Sequence, residues 1–169
     1  MNKNTKQILF EEDQHFRQPL LWFILIGVSG LFTYGVITQI FLGISLGSKP
    51  VPDLVLVLLW LIFGLGLPYG FWKATLTTRV YSDGINISFY PMKLSEEFYS
   101  YNQIDKIEQV TYTPILHYGG WGIRYGIKGK AYNIHGKHGI KIWFKSGKPI
   151  LIGSQRSDEL YSILQKQVE

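Results

Sequence analysis

The chain has 169 residues, 46% of them apolar or aromatic and 17% charged, with no cysteine and a formal net charge of +5. Without cysteine there are no disulfides, no thiolate-held zinc or iron–sulfur cluster and no thiol nucleophile. The charge is uneven: residues 1–72 carry four basic and four acidic side chains, while residues 73–169 carry thirteen basic and eight acidic.

In chain order, residues 1–19 read as a cytoplasmic N-terminal segment. Its stretch FEEDQHFRQPLLW, which runs into the apolar sequence that follows, is expected to lie along a membrane surface, anchored by Phe10, Phe16 and Trp22. Pro19 suits the first turn of a helix. Gln18 to Ser48 and Leu54 to Trp72 contain no Asp, Glu, Lys or Arg. Within them, residues 20–42 and 54–72 are 23 and 19 residues long. As helices they reach about 35 Å and 28 Å at about 1.5 Å per residue, enough to cross a hydrocarbon core of about 30 Å. A secretory signal is the competing reading of the first, but its apolar run exceeds a usual signal core and mixed charge precedes it. Residues 43–53, GISLGSKPVPD, form a short extracytoplasmic loop and impose a tight antiparallel hairpin. Lys3, Lys6 and Arg17 flank the first span, Lys73 and Arg79 follow the second, and the loop offers only Lys49. The positive-inside rule therefore places both termini in the cytoplasm of a multi-pass cytoplasmic-membrane protein, with Trp22, Tyr69 and Trp72 near the cytoplasmic interface.

Gly27, Ser29 and Gly30 in the first span and Gly64, Gly66 and Gly70 in the second permit close helix packing, and Gly66 to Gly70 has GxxxG spacing. One reading packs the hairpin against itself. The other uses Gly27, Gly30, Gly66 and Gly70 for homo-oligomerisation or for docking on a membrane-protein partner. Transport is not expected, because apart from tyrosine no ionisable side chain lies in either span.

Residues 73–169 change to strand periodicity. Thr75 to Tyr81 and Ile85 to Tyr90 form a hairpin around Ser82-Asp83-Gly84. Further strands are expected at Phe98 to Tyr101, Lys106 to Thr113, Gly122 to Lys128, Gly139 to Lys145 and Pro149 to Gly153. Ser157 then caps an amphipathic helix with Asp158 and Glu159 in its first turn and Leu160, Ile163, Leu164 and Val168 along one stripe. About seven antiparallel strands closed by one helix is the layout of a pleckstrin-homology-like (PH-like) domain.

On FRQ (Phe16 to Gln18), SDGINISFYP (Ser82 to Pro91), YGGWGIR (Tyr118 to Arg124) and LIGSQRSDEL (Leu151 to Leu160), the sequence resembles a family of small bacterial membrane proteins of unknown function. That resemblance implies two N-terminal transmembrane helices and a C-terminal bacterial PH-like domain, and it implies no catalytic residues. Membrane-bound assembly factors of photosystem I have a similar layout, an analogy of architecture only.

Between Glu108 and Asp158 there is no acidic residue, while Arg124, Lys128, Lys130, Lys137, Lys141, Lys145, Lys148 and Arg156 fall there. Alternation puts several on one side of their strands, so a basic sheet face is expected. Trp121, Arg124, Lys128, Lys130, Lys141 and Lys145 are the candidate surface for anionic lipid headgroups or a protein partner. Nucleic acid fits less well, since no recognised motif accompanies the charge. The glycines of HYGGWGIRYG are read as a turn or bulge before being read as a ligand loop. His135 and His138 have HxxH spacing in an expected turn and lack a third ligand, with His117 the one nearby candidate, so no metal or cofactor is expected. Asp83 reads as a turn residue and Glu96-Glu97 as an exposed loop pair. No catalytic grouping stands out, and the sequence is read as non-enzymatic. The alternative to a membrane-surface binding module is an assembly or scaffold protein acting through its helices.

Overall fold

The computed structural model describes residues 7–47, 49–91, 96–126 and 129–168. The chain forms two units, one of residues 17–74 and one that joins residues 1–16 to residues 75–169.

The first unit consists of two long apolar helices. Helix α1 (Pro19–Phe41) has 23 residues and helix α2 (Asp53–Lys73) has 21, and both are long and apolar enough to cross a membrane. Each departs from regular α geometry, through π-helical turns at Ile37–Phe41 and Trp60–Gly66. The second has a chemical cause in Pro68, which has no N–H for the carbonyl one turn earlier, that of Gly64. The Ser29 hydroxyl donates to that carbonyl at 2.6 Å. Trp60 Nε1 donates to Thr33 Oγ1 at 3.0 Å, and the Phe32 and Phe63 rings stack at 5.6 Å. The helices are therefore joined by polar contacts and an aromatic pair. A methyl added at Gly27, Gly30 or Gly70 would touch nothing within 4 Å, so these glycines do not pack the hairpin against itself. Gly66 lies against the Leu61 carbonyl of its own helix.

The second unit is mainly β. Strands β1 (Ile8–His15), β2 (Thr75–Tyr81), β3 (Gly84–Tyr90) and β4 (Glu97–Ser100) form an antiparallel sheet in that order. Strands β5 (Ile104–Thr111), β6 (Gly122–Gly126), β7 (Gly129–Asn133), β8 (His138–Phe144) and β9 (Ile150–Gly153) form a mixed sheet, ordered β5-β8-β9-β7-β6 with β7 parallel to β9. Fully buried Leu76, Val80, Ile85 and Ile87 from the first sheet and Tyr132, Ile140, Ile142 and Ile152 from the second supply the core. Helix α4 (Ser157–Val168) adds Leu160 and Leu164, at the helical spacing its sequence shows. Preceding it, a one-turn helix α3 (Pro114–Tyr118) stops at Gly119, whose φ of 72° is the left-handed conformation that caps helices.

Three expectations are corrected. The described strands number nine, because β7 (GKAYN) carries too few apolar residues to announce itself, and its pairing with β9 breaks the antiparallel pattern. Helix α3 stands where only a strand-ending proline is read. Most consequentially, the N-terminal stretch is not a separate segment anchored by exposed Phe10 and Phe16, which are buried: residues 8–15 are a strand hydrogen-bonded to β2, from Ile8↔Tyr81 to His15↔Thr75. The β unit is thus not confined to residues 73–169.

The inward positions of β1 are Phe10, Glu12 and Gln14, all buried. Glu12, 7% exposed, accepts the Ser154 hydroxyl at 2.5 Å and the Gln155 N–H at 2.8 Å. Gln14 Nε2 donates to the Gly153 carbonyl at 2.7 Å. Outward-facing Glu11 instead pairs with exposed Arg79 at 2.7 Å. Removing a buried acceptor strands its donors, whereas an exposed ion pair contributes little. Glu12→Ala is expected to cost about 1–3 kcal/mol and Glu11→Ala under about 1 kcal/mol. Thermal unfolding of the full chain in micelles checks the order, and equal losses would contradict it.

Candidate functional site

The register of the mixed sheet sorts the basic residues. Arg124, Ala131, Leu151, Lys141 and Glu108 form one row across it and share a face. The adjacent row, Tyr125, Lys130, Ile150, Ile142 and Ile107, points to the opposite face, because strand side chains alternate. Lys130 and Lys141 are therefore on opposite sides. The basic residues do not form the single face that alternation within each strand suggests, since register between strands decides which alternating set is shared.

On the outer face, Trp143 lies between Lys106 and Lys141, whose ammonium groups are 5.3 Å and 4.8 Å from its ring. Glu108 sits there too, 3.6 Å from Lys106, so the charge is mixed. Arg124 turns back on its own loop, donating from Nε to the Trp121 carbonyl at 2.9 Å. Trp121 is partly buried in the glycine loop, which acts as the stop of α3 and the lead into β6. Lys128 lies outside the described residues. His138 is on β8, with Nδ1 3.2 Å from Thr111 Oγ1, and His117 Nδ1 accepts the Thr113 N–H at 3.1 Å. Among the described residues no three His, Asp or Glu side chains gather as metal ligands.

The inner face opens on a cavity of 710 Å³. Its wall includes Tyr99 of β4 and Phe144 of β8, stacked at 5.2 Å, together with Tyr125, Pro149 and Ile150. Three of its liners are lysines: Lys130 on β7, and Lys145 and Lys148 from the turn between β8 and β9. Among the described residues no carboxylate lines it. Gly129 makes the approach possible, since its φ of 110° and the nearby Pro149 carbonyl leave no room for a Cβ.

The three lysines are in different electrostatic states. Lys130, its side chain 13% exposed, is ion-paired with Glu97 and lies 4.9 Å from the Tyr125 ring and 4.8 Å from the Tyr132 ring. Burial pushes its pKa down, but Glu97 and Tyr125 outweigh this and raise it above the ordinary 10.5. Burial likewise pushes the Glu97 carboxyl up, and the hydrogen bonds from Lys130, Tyr132 and Tyr99 outweigh that and hold it below the ordinary 4.5. Tyr132 donates to Glu97 Oε2 at 2.7 Å, and Tyr99 donates to the same oxygen. Burial first, then donation to Glu97, pushes both phenols well above 10. The charge of Lys130 is thus already met by protein. Lys145 and Lys148 are exposed and pair with no carboxylate among the described residues. They are the cations with charge to offer a ligand.

The site as built therefore unites Lys130 and Lys145 from the sequence candidates and leaves Trp121, Arg124 and Lys141 elsewhere. Sequence reading missed Glu97, taken for an exposed loop residue, and Tyr99, Tyr132, Phe144 and Lys148. One signal was available, because Lys130 and Tyr132 are two apart on a strand and must share a face.

The family model for a family of unknown function, DUF6141, matches residues 1–168. The chain belongs to that family. The match takes in β1, both long helices and both sheets of this chain. No curated protein and no solved structure matches the chain.

The pH dependence follows from the sign of the Glu97 shift. A carboxyl whose folded pKa lies below its unfolded value stabilises the fold above about pH 4.5, and that contribution is lost as the pH falls through the folded value. Glu97→Gln is expected to cost about 1–3 kcal/mol at neutral pH, since it leaves the Lys130 ammonium half-buried without its counter-ion. Unfolding measured across pH checks this: the gap between wild type and variant closes below pH 4.5, and a gap independent of pH would contradict the assignment.

Proposed function

We propose that this is a non-enzymatic integral membrane protein of the cytoplasmic membrane, with both termini and the β unit on the cytoplasmic side. Its PH-like β unit presents a cationic site to anionic lipid headgroups. The observation that carries this reading is Lys145 and Lys148, which among the described residues pair with no carboxylate, at the mouth of a cavity whose described lining holds none. A cytoplasmic leaflet rich in anionic lipid attracts such groups by about 1 kcal/mol per basic residue near the surface. The orientation is supported by Lys3, Lys6, Arg17, Lys73 and Arg79 at one end of the helices against Lys49 at the other. The PH-like reading is supported by two sheets sharing a core with a C-terminal amphipathic helix. The helical hairpin between β1 and β2 and the parallel β7–β9 pair are elaborations of that plan. The non-enzymatic reading is supported by Glu97, which meets the cavity-lining Tyr99 and Lys130, being engaged by three donors.

Because β1 is part of the β unit, the test needs the full chain. In nanodiscs at low salt, amide hydrogen exchange in the turn from Phe144 to Pro149 is expected to be several-fold slower with anionic than with neutral lipid. The difference is expected to disappear at high salt and in the Lys145→Glu, Lys148→Glu double variant. Equal exchange in the two lipids at low salt would contradict the proposal and favour a protein partner for the same surface.

A further inference from the structure

The cavity is graded from its wall to its mouth. Inside are the stacked Tyr99 and Phe144 rings, Ile150 at 5% exposure, and a lysine whose charge Glu97 already meets. At the mouth are exposed Lys145, Ser146 and Lys148. A volume of 710 Å³ is far more than a phosphate or carboxylate needs. It falls in the range of about 300–1,000 Å³ that holds whole organic ligands. A bare anion would answer the lysines and leave the aromatic wall wet. A neutral apolar molecule would cover the wall and leave both ammonium groups without a partner.

We infer that the cavity binds a single-chain anionic amphiphile, with its apolar chain against Tyr99, Tyr125, Phe144 and Ile150 and its phosphate or carboxylate between Lys145 and Lys148. The inference rests on the anionic-site reading above and goes further, since it draws an acyl chain into the protein. One chain is favoured over two by the cost of leaving the bilayer, about 0.8 kcal/mol for every CH₂ withdrawn. A second chain would double that cost, and the wall formed by Tyr99, Tyr125, Phe144 and Ile150 is only part of the lining. A protein anchored in the bilayer also meets such amphiphiles at high effective concentration.

The test is native mass spectrometry of the full chain released from non-ionic micelles, with four probes: oleoyl lysophosphatidate, oleate, monoolein and inorganic phosphate. One-to-one adducts are expected with the first two, and none with monoolein or phosphate at the same concentration. A preference between lysophosphatidate and oleate identifies the head as phosphate or carboxylate. Ser146→Trp, which fills the mouth from an exposed turn, and the Lys145→Glu, Lys148→Glu variant are each expected to weaken binding about tenfold. Circular dichroism confirms that each variant is folded. Monoolein binding as well as oleate, or adducts unchanged in both folded variants, overturns the proposal. Phosphate binding without amphiphile preference also overturns it, yet leaves the headgroup site standing. Loss of the lipid-dependent exchange difference would instead remove the reading beneath it.

Discussion

The hydrogen-bonded ladder between β1 and β2 is the interaction on which the remainder of the molecule depends. It sets His15 opposite Thr75, so the chain leaves the β unit and returns to it at one point, and everything between is an insertion into a strand pair. The insertion consists of two helices long and apolar enough to cross a membrane. The same ladder covers the edge of β2, which would otherwise present unpaired backbone groups beside a very apolar segment.

From β1 the constraint passes to the other sheet. Glu12 and Gln14 face inward and meet Ser154, Gln155 and Gly153, at the end of β9 and just before α4. Arg156 reinforces the link, donating to the Glu11 carbonyl at 3.0 Å and lying over the Phe10 ring. Near the cavity a second polar cluster joins the sheets, as Glu97 and Tyr99 of the first meet Lys130 and Tyr132 of the second. Buried polar groups are tolerated there because donors converge on the Glu97 carboxylate. This cluster also distinguishes the lysines that line the cavity. Lys130 is absorbed into structure, and the two turn lysines keep their charge available.

Much of this was legible in the sequence. The two apolar runs predicted both long helices to within two residues, and the β2–β3 hairpin, β8, β9 and the last helix follow from periodicity and turn chemistry. What was hidden shares one cause. Strand β1 reads as charged, since Glu11, Glu12 and Asp13 are consecutive, and its inward Glu12 carboxylate and Gln14 Nε2 meet partners at positions 153–155. Strand β7 is short, with glycine, lysine and asparagine at three of its five positions, and its parallel partner β9 is seventeen residues or more away. The site was half legible for the same reason. Alternation within a strand says which residues share a side, but register between strands says which sides coincide, and that divided Lys130 from Lys141. Glu97 looked like surface because its partners, Lys130 and Tyr132, lie on another sheet.

The central claim is that residues 8–15 pair with residues 75–81 around the helical hairpin. The chain has no cysteine, so paired cysteines can be introduced on a clean background. Asp13 and Thr77 are register partners, and antiparallel partners lie within disulfide range. In native membranes under mild oxidation, Asp13→Cys with Thr77→Cys is expected to give an intramolecular disulfide, read as a linked peptide by mass spectrometry. Asp13→Cys with Tyr81→Cys, four positions out of register, is expected to give little. Equal, weak or purely intermolecular linkage from both pairs would contradict the account.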